Sequence, residues 1–262
     1  MDSSNTTSPR ASRLSDRTRS ILVGLALTAA AALVASSLTA CGTETGATVD
    51  PGGDDDGGGN TTGRYLPLAV GSTWTWRVTP AGGGTTIDKV STVEALEDVG
   101  GAKAGTMAFR VRTSHDDGSG GDTVSWQQDT GTSIVRHREQ DFRTDGSMKS
   151  DSIYNPFKLR VDESATHVEG GADYQTDFTE VVTKITDGST TTLQKGETWT
   201  VVSANEQLTV PAGTFTTLHL HRVASDDAAG TSKDYWFARG IGKIKETGGQ
   251  TEELSSYTLA TP

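Results

Sequence analysis

The chain is poor in several things, and each shortage narrows what it can be. One cysteine, Cys41, occurs in 262 residues, so no internal disulfide can form. Basic residues are in deficit: 23 Lys and Arg stand against 34 Asp and Glu, a formal charge of −11. Without a cationic excess to displace phosphate counterions, nucleic acid is not an expected partner. Helical patterning is missing too. Beyond residue 64 no long segment repeats its apolar residues every 3.6 positions. Nor is there a Gly-x-Ser-x-Gly elbow, a paired-His zinc helix, a P-loop or a dinucleotide glycine fingerprint. No cofactor is expected. Apolar residues are only 33%, but 31 glycines bring the sum near the usual globular share.

What is present begins with a three-part N-terminus. Arg10, Arg13, Arg17 and Arg19 precede an uncharged stretch from Ile21 to Leu38 rich in Leu, Ala and Val. It closes on Leu38-Thr39-Ala40-Cys41. A basic start, an apolar middle and small residues before a cut are the marks of a secretory signal, here residues 1–40. The run is long enough to raise a transmembrane anchor as the alternative. Its closing four residues, however, resemble the lipobox of bacterial lipoproteins at every position. That resemblance implies a diacylglyceryl group on the Cys41 thiol and cleavage just before it. The lone cysteine agrees, since an exported single thiol is otherwise a liability, and two acyl chains give the stable anchoring that one does not. With no twin-Arg pair before the run, Sec export is expected. The resemblance also bears on location. Gly42 stands where an Asp would retain many lipoproteins at the inner membrane. The expected site is therefore the outer membrane, or the outer face of the plasma membrane in a host with one membrane. Removal of residues 1–40 takes away four Arg, Asp2 and Asp16, and the net charge moves from −11 to −13.

Residues 41–64 read as a tether rich in Gly and Asp. Coil of this kind reaches about 26 Å. Asp54-Asp55-Asp56 lacks the alternating oxygen ligands of a calcium loop and reads as solvated linker. Asn60-Thr61-Thr62 is a glycosylation sequon by pattern alone.

Residues 65–262 read as one all-β domain. They hold 31 Thr, 16 Val and 6 Ile against 10 Leu, a balance that favours strands. Trp74, Trp76 and Val78 alternate with Thr73, Thr75 and Arg77, and Met107, Phe109 and Val111 with Ala108, Arg110 and Arg112. Glycine-containing turn signals separate such runs, among them Asp117-Gly118, Gly170-Gly171 and Gly248-Gly249. Strands are expected at 72–79, 87–96, 105–114, 123–129, 132–143, 148–154, 173–186, 197–203, 206–211, 214–224, 232–238, 241–247 and 251–259. Short spacing without crossover helices implies antiparallel meanders forming a half-barrel, a barrel or a sandwich. Pro211-Ala212-Gly213 should be a tight turn, and Gly240-Ile241-Gly242 a strand bend or bulge.

Candidate chemistry is thin. His219 and His221 are two apart, so both imidazoles should leave one strand face; as metal ligands they would need further donors, and a polar strand face is the competing reading. Asp116-Asp117-Gly118-Ser119-Gly120-Gly121-Asp122 reads as a polar hairpin loop. Asp226-Asp227 and Glu252-Glu253 read as solvated surface, because adjacent strand residues point apart. The aromatics carry more. Trp74, Trp76 and Trp199 are expected in the core. Tyr235, Trp236 and Phe237 form the candidate groove, with Trp236 on the face opposite its neighbours.

Two stretches carry a further resemblance. Tyr65-Leu66-Pro67-Leu68-Ala69-Val70-Gly71-Ser72-Thr73-Trp74-Thr75-Trp76 is similar to the opening of a broad set of uncharacterised bacterial lipoproteins. Val210 to Phe215 and Tyr235 to Lys245, with Glu252-Glu253-Leu254, are similar to their C-terminal part. The resemblance implies a β domain with some likeness to the half-barrels of Lol-pathway lipoprotein carriers. It brings no catalytic or binding residue. The leading expectation is a non-enzymatic, membrane-anchored module that binds a lipid, an envelope polymer or a protein. A structural or assembly lipoprotein is the alternative, followed by an exported hydrolase with a site built from distant strands. A concave aromatic groove would favour the binder. The anchor has its own test: Cys41→Ser should give an uncleaved or membrane-released protein, and intact-mass spectrometry of the wild type should show a diacylated Cys41 at the N-terminus. A free, unmodified Cys41 on exported protein would end the reading.

Overall fold

The structure, a computed structural model, describes residues 63–115, 120–169, 171–225 and 232–261. The signal and lipobox (Leu38, Thr39, Ala40, Cys41) lie outside the described residues. So do the tether up to residue 62, Asp116 to Ser119, Gly170, and Asp226-Asp227.

Alternation governs the first strand, β1 (Thr73–Pro80), where Trp74, Trp76 and Val78 are buried and Arg77 is exposed. The pattern passes from strand to strand through antiparallel register, because directly opposed residues share a face. The strands are β2 (Ile87–Asp98), β3 (Met107–His115), β4 (Thr123–Asp129), β5 (Ser133–Phe142), β6 (Met148–Asp162), β7 (Tyr174–Lys184), β8 (Thr190–Val210), β9 (Gly213–Ala224), β10 (Lys233–Ala238), β11 (Gly242–Thr247) and β12 (Gln250–Thr258). Each pairs with its sequence neighbours, and β1 pairs with β12, so the meander closes as a 12-strand barrel. Of the three closures open from sequence, full closure is the one adopted. The seam sets Trp76 opposite Leu254 and Val78 opposite Glu252.

One end of the lumen is plugged. Tyr65 is buried with Trp199, Leu218, Leu220, Tyr235 and Phe237. Four rings run in sequence across it: Tyr174 to Trp199 (6.4 Å), Trp199 to Tyr235 (5.7 Å) and Tyr235 to Phe237 (6.2 Å), all stacked. Residues 63–72 cross this end. The Gly240 N–H donates to Arg64 O at 2.8 Å. Arg64 donates to Gly131 O and Asp129 Oδ1, each at 2.6 Å, and Arg239 lies 4.2 Å over the Tyr65 ring. A short helix, α1 (Ala165–Val168), adds Val168 to the same cluster. The outward face carries Arg77, Arg110, Arg112, Lys149, Asp151 and Asp177, a composition suited to water rather than to acyl chains.

Two strands differ from expectation for identifiable reasons. The segments 197–203 and 206–211 are one strand, β8, since the irregularity between Val201 and Glu206 is a bulge, not a turn. β6 runs on to Asp162 through Pro156. There the register jumps from Arg138↔Ile153 to Arg136↔Lys158, so the proline sits where no ladder bond is required of it. Pro211-Ala212 is the two-residue connection between β8 and β9, and Gly213 has φ +137°. Gly240-Ile241 belongs to the β10–β11 connection, Arg239-Gly240-Ile241, and Gly242 opens β11, rather than the three forming a bulge inside a strand. At Gly242 a Cβ would come within 2.9 Å of Trp74 Nε1, the atom that donates to Ile241 O at 2.6 Å.

Trp74, Trp76 and Trp199 are 3%, 5% and 2% exposed, as core residues should be. Trp236 is half-buried on the outer face. Trp74→Ala should therefore cost about 3–5 kcal/mol, and Trp236→Ala distinctly less. Urea unfolding of the two variants checks this; equal small losses would mean that the lumen face is not the core.

Candidate functional site

Beyond the plug the lumen holds a cavity of about 300 Å³. Period-two alternation on three neighbouring strands builds one wall. β2 turns Lys89 and Ser91 inward, β3 turns Val111, Thr113 and His115, and β4 turns Thr123, Ser125 and Gln127. Ser91 Oγ and Thr113 Oγ1 are 2.7 Å apart, and Gln127 Nε2 donates to Ser125 Oγ at 2.9 Å. Leu66, Leu68, Trp74, Trp76 and Phe237 supply an apolar end.

Charge lines the rest. Lys243 donates to Glu246 Oε2 at 2.6 Å and to Glu252 Oε2 at 2.7 Å. Lys233 reaches Glu246 Oε1 at 2.5 Å, and Lys89 pairs with Glu252. Trp76 lies beside two of these ammonium groups, with Lys89 Nζ at 5.4 Å and Lys243 Nζ at 5.0 Å from its ring centre, and its Nε1 donates to Lys243 O at 3.0 Å. Burial works against every charge here. For Lys243 the two carboxylates outweigh it and hold the ammonium above its ordinary range. Burial likewise opposes ionisation of Glu246 and Glu252, yet Lys243 and the second lysine on each bring both down, Glu252 to about 2. Lys89 has only a share of Glu252. Burial, then repulsion from Lys243, lowers it to about 8.

A second cationic group faces this one. Arg136 pairs with Glu139, which also accepts from Tyr154 Oη at 3.3 Å. Despite burial, Glu139 and then Tyr154 raise the Arg136 pKa. Arg160 also lines the cavity; its Nε is buried without a partner, and burial, then Arg136, lower its pKa.

The residues singled out from sequence are divided by the barrel wall. Phe237 lines the cavity, and Tyr235 belongs to the plug. Trp236 points the other way and stacks on His219 at 4.2 Å, with Lys245 5.9 Å from its ring centre. The enclosed site is thus formed by Trp74, Trp76 and Phe237, without Trp236. His219 and His221 do share a face, the outer one. His219 has one ring nitrogen 2.8 Å from Glu206 Oε2 and the other 3.1 Å from Asp234 Oδ1, and His221 Nδ1 is 3.0 Å from the same Asp234 oxygen. Carboxylates occupy both nitrogens of His219. Among the described residues no group of three or more His, Cys, Asp or Glu is placed to hold a metal ion. Glu252 and Glu253 diverge as expected, but Glu252 points into the lumen and is 3% exposed, not solvated.

Sequence reasoning missed Lys89, Arg136, Arg160, Lys243 and Glu246. The sequence offers no signal for them: in β2, Ile87, Lys89 and Ser91 share the inward face and Asp88 and Val90 the outward one, so neither face is distinctly apolar.

The Lys243 cluster should make stability acid-sensitive. Glu252 has a folded-state pKa below its ordinary 4.5, so its contribution is complete above 4.5 and disappears as pH falls towards about 2. Urea midpoints should drop over that window, and Glu252→Gln should flatten the drop. Lys243→Met leaves Glu246 to Lys233 alone and Glu252 to Lys89 alone and should cost about 3 kcal/mol near neutral pH. A wild-type midpoint unchanged from pH 5 to 3 would refute the assignment.

No protein-family model and no curated protein matches the chain. Among solved structures it is similar to a Bacteroides fragilis protein of YmcC-like fold, proposed to be exported. Identity is 12%, over 76% of this chain and 100% of that one, with a TM-score of 0.45. It is also similar to a Parabacteroides distasonis protein proposed to be a lipoprotein, at 13% identity over 74% of this chain and 98% of that one, with a TM-score of 0.42. Both likenesses concern fold and nothing finer.

Proposed function

We propose that the protein is a lipid-anchored, extracytoplasmic, non-enzymatic binding module whose ligand enters the barrel. The anchor is read from the signal and from Leu38-Thr39-Ala40-Cys41. Its expected partner is the membrane, through acyl chains on Cys41. The cavity carries the binding reading. A structural or assembly lipoprotein needs only a filled core, whereas here about 300 Å³ is left between Trp74, Trp76 and Phe237 on one side and hydroxyl, amide and cationic groups on the other. That is the small end of the range for ligand pockets, about 300–1,000 Å³, with the usual mixture of apolar wall and a few convergent polar groups. The non-enzymatic reading rests on the state of those groups. Lys89, Lys233, Lys243, Glu246 and Glu252 are tied to one another, which suits holding a molecule more than exchanging protons with it.

The test is agnostic about ligand chemistry. The mature protein is purified from its native membranes under non-denaturing conditions and extracted with organic solvent. A small molecule should appear in the extract of the wild type and be missing from Ser125→Trp, which fills the cavity from β4. If the two extracts are the same, the cavity does not hold a ligand.

A further inference from the structure

The chain carries a net charge of −11, yet its cavity has the opposite sign. Five cations line it (Lys89, Arg136, Arg160, Lys233 and Lys243) against two carboxylates, Glu246 and Glu252. Those two carboxylates are taken up by the three lysines. The arginines are left with Glu139, which Arg136 and Tyr154 engage. Arg160 has its Nε buried and unpartnered, and the carboxylates that act on it, Glu246 and Glu139, are each already engaged by another cation.

The register makes this arrangement costly. Arg136 and Lys158 stand directly opposite each other on β5 and β6, and like charges in that relation are destabilising. Arg160 follows two residues along the same face of β6. Lys158 has Glu197 at 3.8 Å, but that carboxylate also serves Arg222 at 3.0 Å. A fold that merely had to fill its lumen could place an apolar residue there, since Arg160 is half-buried and keeps its Nε away from water without a partner, and a buried polar group without a partner is costly. Such features persist where function requires them.

Resting on the binding reading above, we infer that the ligand is an amphipathic anion: a carboxylate or phosphate received by Arg160 and Arg136, carried on an apolar group that lies against Trp74, Trp76 and Phe237. The arginine fork accepts either oxyanion in two-point fashion. The apolar end of the same cavity excludes a bare inorganic ion as the best fit.

Isothermal titration of the full mature chain in lipid nanodiscs, with empty nanodiscs as blank, tests this with water-soluble probes. Benzoate and phenyl phosphate carry both parts. Benzyl alcohol keeps the ring without the charge, benzamidinium reverses the charge, and inorganic phosphate lacks the ring. Benzoate or phenyl phosphate should bind, and the other three at least about tenfold more weakly, the value of one charge-assisted hydrogen bond. Arg160→Gln should lose about tenfold or more for the anions, and Arg160→Lys should lose less. The unfolding midpoint of Arg160→Gln should stay level or rise, which a structural arginine would not allow. Benzyl alcohol binding as tightly as benzoate would overturn the anion assignment while leaving the cavity a binding site. Inorganic phosphate binding as tightly as phenyl phosphate would overturn the apolar half. Binding by none of the five would overturn the inference, and the extraction experiment decides the wider reading independently. A lowered midpoint in Arg160→Gln together with unchanged affinity would return Arg160 to a structural role.

Discussion

The width of the barrel is the constraint from which the rest follows. Eight strands close around an interior that side chains can just fill, and sixteen or more leave a channel. Twelve strands fall between, so the lumen must be occupied by something besides short apolar side chains. At one end the answer is a line of stacked rings, Tyr174, Trp199, Tyr235 and Phe237, under a length of chain drawn across the opening. Elsewhere it is long charged side chains that meet in the middle. Lys243, Glu246 and Glu252 span adjacent strands and fill space as an aliphatic core would, with their charges cancelled at the tips. What this filling leaves over is the cavity.

Placement of charge is the second determinant. The acidic excess lies outside, while the cavity lining is cationic. A strand such as β3 therefore carries charge on its outer face while its inner face passes from apolar to polar along its length. Val111 and Thr113 face in, and Arg110 and Arg112, paired to Glu94, face out. The wall is held by backbone ladders, cross-strand ion pairs and two further apolar clusters, one around Trp74, Trp76 and Leu254 and one around Val124 and Trp126.

That distribution explains what could be read from the residues. The strands were legible wherever one face was apolar: Trp74, Trp76 and Val78 announced β1 and its buried side. The second half of β6 was not, because Pro156 reads as a break when the bulge that accommodates it is invisible. The break inside β8 failed likewise, since Ala204-Asn205 looks like a turn unless its partner strand is known to run straight through. The site was the least legible part. A lysine at an inward position of a wide barrel looks the same in sequence as a lysine facing solvent, and only closure of β1 onto β12 tells Lys89 from Lys149. Trp236 shows the converse. Its size suggested a binding face, but its register with His219 puts it outside, where it shields a histidine.

The plug also sets how the barrel would bear load. The chain reaches β1 only after crossing the closed end, and Arg64 fastens that crossing to the β4–β5 turn through Asp129 and Gly131 and to Glu163 beyond β6. A pull on the residues before Gly63 is therefore taken first by these side-chain contacts and by the single Gly240–Arg64 backbone bond. These break one after another, like a zip. The β1 ladders, in contrast, must be sheared as a set. Under tension the barrel would lose its lid before it lost a strand, and the lumen would be uncovered from the plugged end while the wall stayed whole.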